Sequence, residues 1–138
     1  MSDSMWSALS ISASGMKAQG ERVRVISENV ANSDTASLVP GGDPYKRQII
    51  SFKNTLDRAN GNKLVAVDRI KNDEKTPFIL KYQPDHPGAN EAGYVKMPNV
   101  KSFIEMMDMR EAQRSYEANL GMIDQTKGMM QATINLLQ

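Results

Sequence analysis

All six prolines of this 138-residue chain lie between Pro40 and Pro98. On either side stands a long proline-free segment with apolar residues at helical spacing. Proline removes a helix hydrogen bond and clashes with the preceding turn, so long helices are permitted only at the two ends. In the first segment, from about Met5 to Val30, the residues Met5, Leu9, Ser12, Met16, Gln19, Val23, Ile26 and Val30 follow one another at alternating steps of four and three. That is a seam of coiled-coil type, interrupted by Ser12 and Gln19. Ser2, Asp3 or Ser4 supplies a cap. The intrinsic propensity is poor. Gly15 and Gly20 each cost about 1 kcal/mol relative to alanine, and Ser7, Ser10, Ser12 and Ser14 offer the backbone competing hydrogen bonds. This helix is expected to need a partner.

The last segment runs from about Val100 to Leu137. Pro98 ends whatever precedes it, and Asn99 is expected to cap the helix. One row reads Met106, Met109, Gln113, Tyr116, Leu120, Ile123, Lys127, Met130, Ile134 and Leu137. A neighbouring row reads Ile104, Met107, Ser115, Ala118, Met122, Met129 and Leu136. Two adjacent rows make a stripe wider than a two-stranded seam needs. At about 1.5 Å per residue the helix reaches roughly 55 Å, longer than a globule of this size requires. Gly121 and Gly128, seven apart on one face, weaken it and leave room for another backbone.

The middle holds the turn chemistry, with PGGDPY (Pro40 to Tyr45) as its densest stretch. YKRQIISFK, KLVAVDRI and FILKY read as three short strands in one small sheet, followed by a long loop before GYVKMPNV. The expected fold is therefore mainly α with a small β insert. Residues 1–35 form the N-terminal helix and its elbow, 36–98 the β-rich insert, and 99–138 the C-terminal helix. The two helices pair as an antiparallel coiled coil.

Charge is balanced, with 17 basic and 16 acidic residues, so there is no basic face for nucleic acid. There is no cysteine, hence no disulfide, zinc-thiolate site or thiol nucleophile. No apolar run is long enough to span a membrane. The N-terminus lacks the basic and continuous apolar regions of a secretory signal, so any export is expected to take another route. Trp6 suggests a membrane anchor, but the first 16 residues carry no basic side chain, which favours a protein contact instead.

Candidate chemistry is sparse. The single histidine, His86, lies between prolines in QPDHPG and is expected to be a solvated loop residue. Asp73 and Glu74 read as a charged turn. Glu105, Asp108 and Glu111 read as a solvated acidic face beside Lys101, Arg110 and Arg114. The ten methionines read as adaptable packing surface rather than soft-metal ligands. The chain is thus expected to have no catalytic residues, no cofactor and no metal. What it has is more apolar helix face than two helices bury on each other, which points to a self-assembling or scaffold-binding protein.

One stretch, ISENVANSDT (Ile26 to Thr35), closes the first seam at Val30. Asn32, Ser33 and Asp34 favour turns and tolerate left-handed backbone. Asn32 is expected to end the helix as glycine often does. Thr35 is then placed to hydrogen-bond a freed carbonyl, and Asn29 to reach a neighbouring helix. This stretch resembles the N-terminal signature of the bacterial flagellar axial proteins, the rod, hook and junction subunits. RSYEANLGMIDQTKGMMQATINLL, Arg114 to Leu137, resembles the same family's terminal helix, with Tyr116, Ala118 and Asn119 matching its Tyr-x-Ala-Asn core. GYVKMPNV and YKRQIISF are similar to the short proximal-rod members. Ala36 stands where glycine often follows the threonine, so the elbow is expected to differ from that of longer members.

The resemblance implies a structural subunit of the basal-body rod. It would polymerise by its terminal helices into a helical tube that transmits torque around the export channel. It implies export by the flagellar type III apparatus without a cleaved signal, and a periplasmic rod location. Its partners would be copies of itself, other rod proteins and the export apparatus, with no nucleic acid and no direct membrane insertion. The residues expected at assembly contacts are Leu9, Met16, Val23, Ile26, Asn29, Val30, Asn32, Thr35, Tyr116, Asn119, Leu120, Ile123, Met130, Ile134 and Leu137. The rival is a soluble helical adaptor or export chaperone that does not polymerise, which explains the helices but not the β insert or the paired terminal motifs.

Overall fold

A computed structural model describes residues 2–137. Along the chain lie α1 (Ser2–Ala31), β1 (Gln48–Leu56), β2 (Lys63–Asn72), β3 (Ile79–Tyr82), β4 (Tyr94–Met97) and α2 (Ser102–Leu136). Both helices are longer than average, at 30 and 35 residues. No described helix is long and apolar enough to cross a membrane. The residues fall into two compact units. One takes the chain up to Val23, Ser51–Arg69 and everything from Arg110 onward; the other takes Arg24–Ile50 and Ile70–Met109.

In the first unit α1 and α2 run antiparallel. Asn119 lies against Gly15, and Arg22 Nη2 meets Glu111 Oε2 at 3.7 Å. Ala18 and Ser12 are buried on α1, and Ala112 and Thr126 on α2. The inner line of α2 in this unit is Ala112, Asn119, Thr126, at seven-residue steps. Its polar members bond their own helix: Asn119 Nδ2 donates to Ser115 O at 2.9 Å, and Thr126 Oγ1 to Met122 O at 2.8 Å. Small or self-satisfied side chains on α2 let two backbones approach, and the buried Gln19 Oε1 on α1 is left without a hydrogen-bond partner among the described residues. The hairpin tip joins the same unit. Val65 N–H donates to Ser14 Oγ at 3.2 Å, and Asn62 Nδ2 to Ser10 Oγ at 3.5 Å. The serines that weaken the helix on propensity thus also receive donors from the hairpin.

The long row expected on α2 needs correction. Met109, Ile123 and Met130 are half-buried, but Met106, Gln113, Tyr116, Leu120, Lys127, Ile134 and Leu137 are exposed. Hydropathy passes over the line that faces inward, because its residues are small or polar.

In the second unit β3 and β4 pair antiparallel, with Ile79 opposite Met97 and Tyr82 opposite Tyr94. The two tyrosine rings meet edge to face, centroids 5.3 Å apart. Val95, Pro98 and Val100 are buried here, as are Val25 and Ile26 at the end of α1. Two loops touch at Gly88, where a Cβ would stand 2.0 Å from Ser37 O; only glycine fits. His86 Nδ1 accepts the Gly88 N–H at 2.9 Å, so the half-buried histidine braces this loop.

The β region is not one three-stranded sheet. β1 pairs with β2, and β3 with β4, in two separate two-stranded sheets. The fourth strand, Tyr94–Met97, lies inside GYVKMPNV, a stretch after the long loop to which the sequence pattern assigns no strand.

A Cβ added to Gly121 would meet nothing within 4 Å. Gly121→Ala is therefore expected to stabilise the isolated chain by about 1 kcal/mol, raising the midpoint of a circular-dichroism melt by roughly 3 °C. A lowered midpoint would show that the glycine is required by the subunit's own packing.

Candidate functional site

The most constrained polar cluster lies in the second unit, where the end of α1, the base of the first hairpin and the start of α2 meet. Asn29 is 1% exposed. Its Oδ1 accepts from Tyr45 O–H at 2.9 Å and from Gln48 N–H at 2.8 Å. Its Nδ2 donates to Gln48 O at 2.9 Å and to Glu105 Oε2 at 3.0 Å. An asparagine amide offers two donors and two acceptor sites, and here all four are used. Towards Gln48 the side chain binds both backbone groups, as a neighbouring strand would.

Glu105 is equally buried, at 1% exposure. Its other oxygen accepts from Arg47 Nε. The same guanidinium stands 3.9 Å from Asp73 Oδ2 and 3.9 Å from Asp108 Oδ2. A buried carboxylate is costly unless it is paired and hydrogen-bonded, and Glu105 is both. Asn99 holds the far side. Its Oδ1 accepts from Arg47 N–H at 2.8 Å, and its Nδ2 donates to Asp73 O and Thr76 O. Asp73 N–H closes the ring on Arg47 O at 2.8 Å.

Three sequence expectations are corrected by this cluster. Glu105 is not part of a solvated acidic face. Asp73 is not an open charged turn: it is buried, accepting from Thr76 Oγ1, Thr76 N–H and Lys75 N–H. Those bonds, Thr76 first, with Arg47 nearby, hold its carboxyl below the usual aspartate range. Asn99 does not cap α2; Ile104 and Glu105 N–H both turn back to Lys101 O instead. Burial pushes the Tyr45 phenol up, with Glu28 and Glu105 adding to the shift, which keeps its proton on the bond to Asn29.

The elbow after α1 also departs from expectation. Among the described residues no non-glycine has a positive φ, so Asn32 is not left-handed. Its backbone N–H and its Nδ2 both donate to Glu28 O, at 3.1 and 2.9 Å. The side chain thus completes the last turn without a left-handed residue. Thr35 Oγ1 donates to Asn32 Oδ1 rather than reaching a helix carbonyl, and Tyr45 N–H bonds Thr35 O at 3.0 Å.

Of the other residues expected at contacts, Ile26 is buried, and Leu9, Met16, Val23, Val30, Asn119, Ile123 and Met130 are half-buried. Thr35, Tyr116, Leu120, Ile134 and Leu137 are exposed. Sequence reasoning missed Arg47, Asp73, Asn99 and Glu105, because charged and amide residues score as surface until their partners are known. It also passed over Phe103, which is 75% exposed at the start of α2. Among the described residues no group of three or more His, Asp or Glu is placed to hold a metal ion.

Two family models match the chain. One, for flagella basal body rod proteins, covers residues 9–36; the other, for the C-terminal part of flagellar basal body rod FlgEFG proteins, covers residues 91–136. Curated relatives match over nearly the whole length. The flagellar basal-body rod protein FlgC of Agrobacterium fabrum is 43% identical over 99% of this chain and 97% of its own. Those of Borreliella burgdorferi and Bacillus subtilis are each 38% identical, over 97% and 94% of this chain and 98% and 95% of their own.

Removing the Asn29 amide strands Gln48 N–H, Gln48 O and one Glu105 oxygen. Asn29→Ala is expected to cost about 3 kcal/mol, read as a lower midpoint in urea unfolding; a loss below about 0.5 kcal/mol would refute the clasp's role. Asp73 gives a pH signature. Its folded pKa lies below the unfolded value, so the unfolded state binds more protons as pH falls. Its contribution is complete above the ordinary value of about 3.9 and is lost as pH drops through the lower folded value. Acid unfolding should therefore be steeper in the wild type than in Asp73→Asn, and equal slopes would contradict the assignment.

Proposed function

The chain belongs to the FlgC family of bacterial flagellar basal-body rod proteins, and from that premise we propose that it polymerises through its terminal helices into the rod wall. It is a structural subunit of the basal-body rod. The observation that supports polymerisation is the apolar surface left open on α2: Phe103, Met106, Met107, Leu120, Met122, Met129, Leu136 and Leu137 are exposed, Leu136 at 87%. Soluble monomers rarely leave so many large apolar side chains of one helix in water, and such exposure marks protein contacts. Methionine suits it, because a flexible side chain adapts to neighbours that are not identical.

In this reading the helices meet copies of the same chain and other rod proteins through heterologous contacts, which extend as a helix wherever the rotation between subunits does not close a ring. Leu9, Met16, Val23, Ile26 and Val30 hold the α1 seam, and Ile123 and Met130 are half-buried on α2. Tyr116, Leu120, Ile134 and Leu137 meet neighbours. Asn29, Asn32, Thr35 and Asn119 fix the polar geometry at the elbow and between helices. The subunit leaves the cytoplasm through the flagellar export apparatus uncleaved, assembles in the periplasm and transmits torque without enzymatic turnover.

The first experiment is to sediment detergent-extracted basal bodies and probe for the protein. Co-sedimentation with the rod is expected; a purely soluble cytoplasmic species, in cells with complete basal bodies, would favour the adaptor. Leu120 is the cleaner contact to alter, because it is exposed in the subunit. Leu120→Asp should leave expression and helix content intact while abolishing rod assembly and motility. Normal swimming in that strain would exclude Leu120 from the contacts.

A further inference from the structure

The four glycines inside the helices are of two kinds. A Cβ on Gly15 would meet the Asn119 amide at 2.9 Å, so the chain's own packing accounts for that residue. Gly20 on α1, and Gly121 and Gly128 on α2, would meet nothing within 4 Å. All three are exposed and lie within helices, where glycine is less favourable than alanine. None of them serves a turn. Glycine at such a place suits a backbone approaching from outside the chain.

The neighbours of these glycines form one line on each helix. On α1 the line is Ala13, Lys17, Gly20, at steps of four and three. On α2, read backwards, it is Gly128, Asp124, Gly121, at the same steps. All six residues are exposed and belong to the first unit. At 3.6 residues per turn each line lies roughly opposite its helix's buried residues, Ser12 and Ala18 on α1, Ala112 and Thr126 on α2. The two lines therefore cannot meet within one chain. Neither Lys17 nor Asp124 has an ion-pair partner among the described residues.

We propose that the Ala13–Lys17–Gly20 face of one copy packs antiparallel on the Gly121–Asp124–Gly128 face of a second copy. Ala13 then faces Gly128, Lys17 faces Asp124, and Gly20 faces Gly121. The small pairs let the backbones close, and the single opposite-charge pair sets the register. In a parallel pairing the glycines still meet, but Lys17 falls one residue out of step with Asp124. A buried pair of this kind contributes to specificity more than to affinity. The inference rests on the chain being a polymerising subunit, and it names the contact. The two halves are different surfaces facing away from each other, so the contact is heterologous: each bound copy leaves one half free for a further copy, and the contact propagates beyond a dimer.

A charge exchange tests the register, in cells whose wild-type protein sediments with basal bodies. Lys17→Glu and Asp124→Lys should each lower incorporation roughly tenfold, and the double exchange should restore it. Both side chains are exposed, so the purified variants should keep wild-type helix content by circular dichroism. Wild-type incorporation of either single variant overturns the register, and so does a double exchange that fails to restore it. Wild-type protein missing from the rod fraction is a different result, and it removes the rod reading itself.

A second measurement uses the absence of cysteine from the chain. Gly20→Cys combined with Gly121→Cys, oxidised in isolated basal bodies, should give a ladder from dimer upward. A disulfide requires Cα atoms within about 7 Å, which the proposed packing supplies. Incorporated variant that stays monomeric after oxidation overturns the contact.

Discussion

The carboxylate of Glu105 is the group on which the second unit turns. Out of water and alone, it would be among the most expensive groups in the chain. It is tolerable because Arg47 and Asn29 each take one of its oxygens. Those two residues come from different parts of the sequence, so the carboxylate is satisfied only when α1, the hairpin base and α2 are all in place. An apolar contact of similar area tolerates sliding; a buried ion with two named partners does not. The cluster therefore contributes a unique arrangement more than it contributes stability.

Two asparagines extend that arrangement through the backbone. Asn29 satisfies both main-chain groups of Gln48, and Asn99 ties Arg47 N–H to the carbonyls of Asp73 and Thr76. Each amide supplies the bonds that an additional strand would supply, where a two-stranded sheet has no third strand to give. Among the described residues the buried aliphatic set is short: Ala18, Val25, Ile26, Val95, Val100 and Ala112. Polar side chains do much of the joining that a larger core does elsewhere.

How much of this was legible follows from the same point. The two helices were readable to within a few residues, because their period and the confinement of proline depend only on local sequence. The α1 seam was readable for the same reason, and Asn29 was correctly seen as reaching a neighbouring helix. The α2 seam was not: Ala112, Asn119 and Thr126 mark a narrow inner line that a hydropathy pattern scores as surface. Glu105, Asp73 and Asn99 escaped as well, since whether a charged or amide residue is buried depends on partners tens of residues away. Tyr94–Met97 is a strand only because Ile79–Tyr82 lies beside it; four residues ahead of a proline carry too little pattern of their own.

The mismatch between hydropathy and burial on α2 has a physical reading of its own. A helix that buried its most apolar row inside the subunit would have little left to offer a neighbour. Here the inner line of the first unit is alanine, asparagine and threonine, while Leu120, Met122 and Met129 remain exposed. The polar inner residues satisfy themselves on their own backbone, so they ask little of the opposing helix and permit close approach. The apolar side chains are thereby released to the outside, where burial against another chain stabilises by roughly 25 cal/mol per Å² removed from water. A sequence pattern that looks like a core on a helical wheel is, in this chain, largely solvent-exposed surface of the subunit.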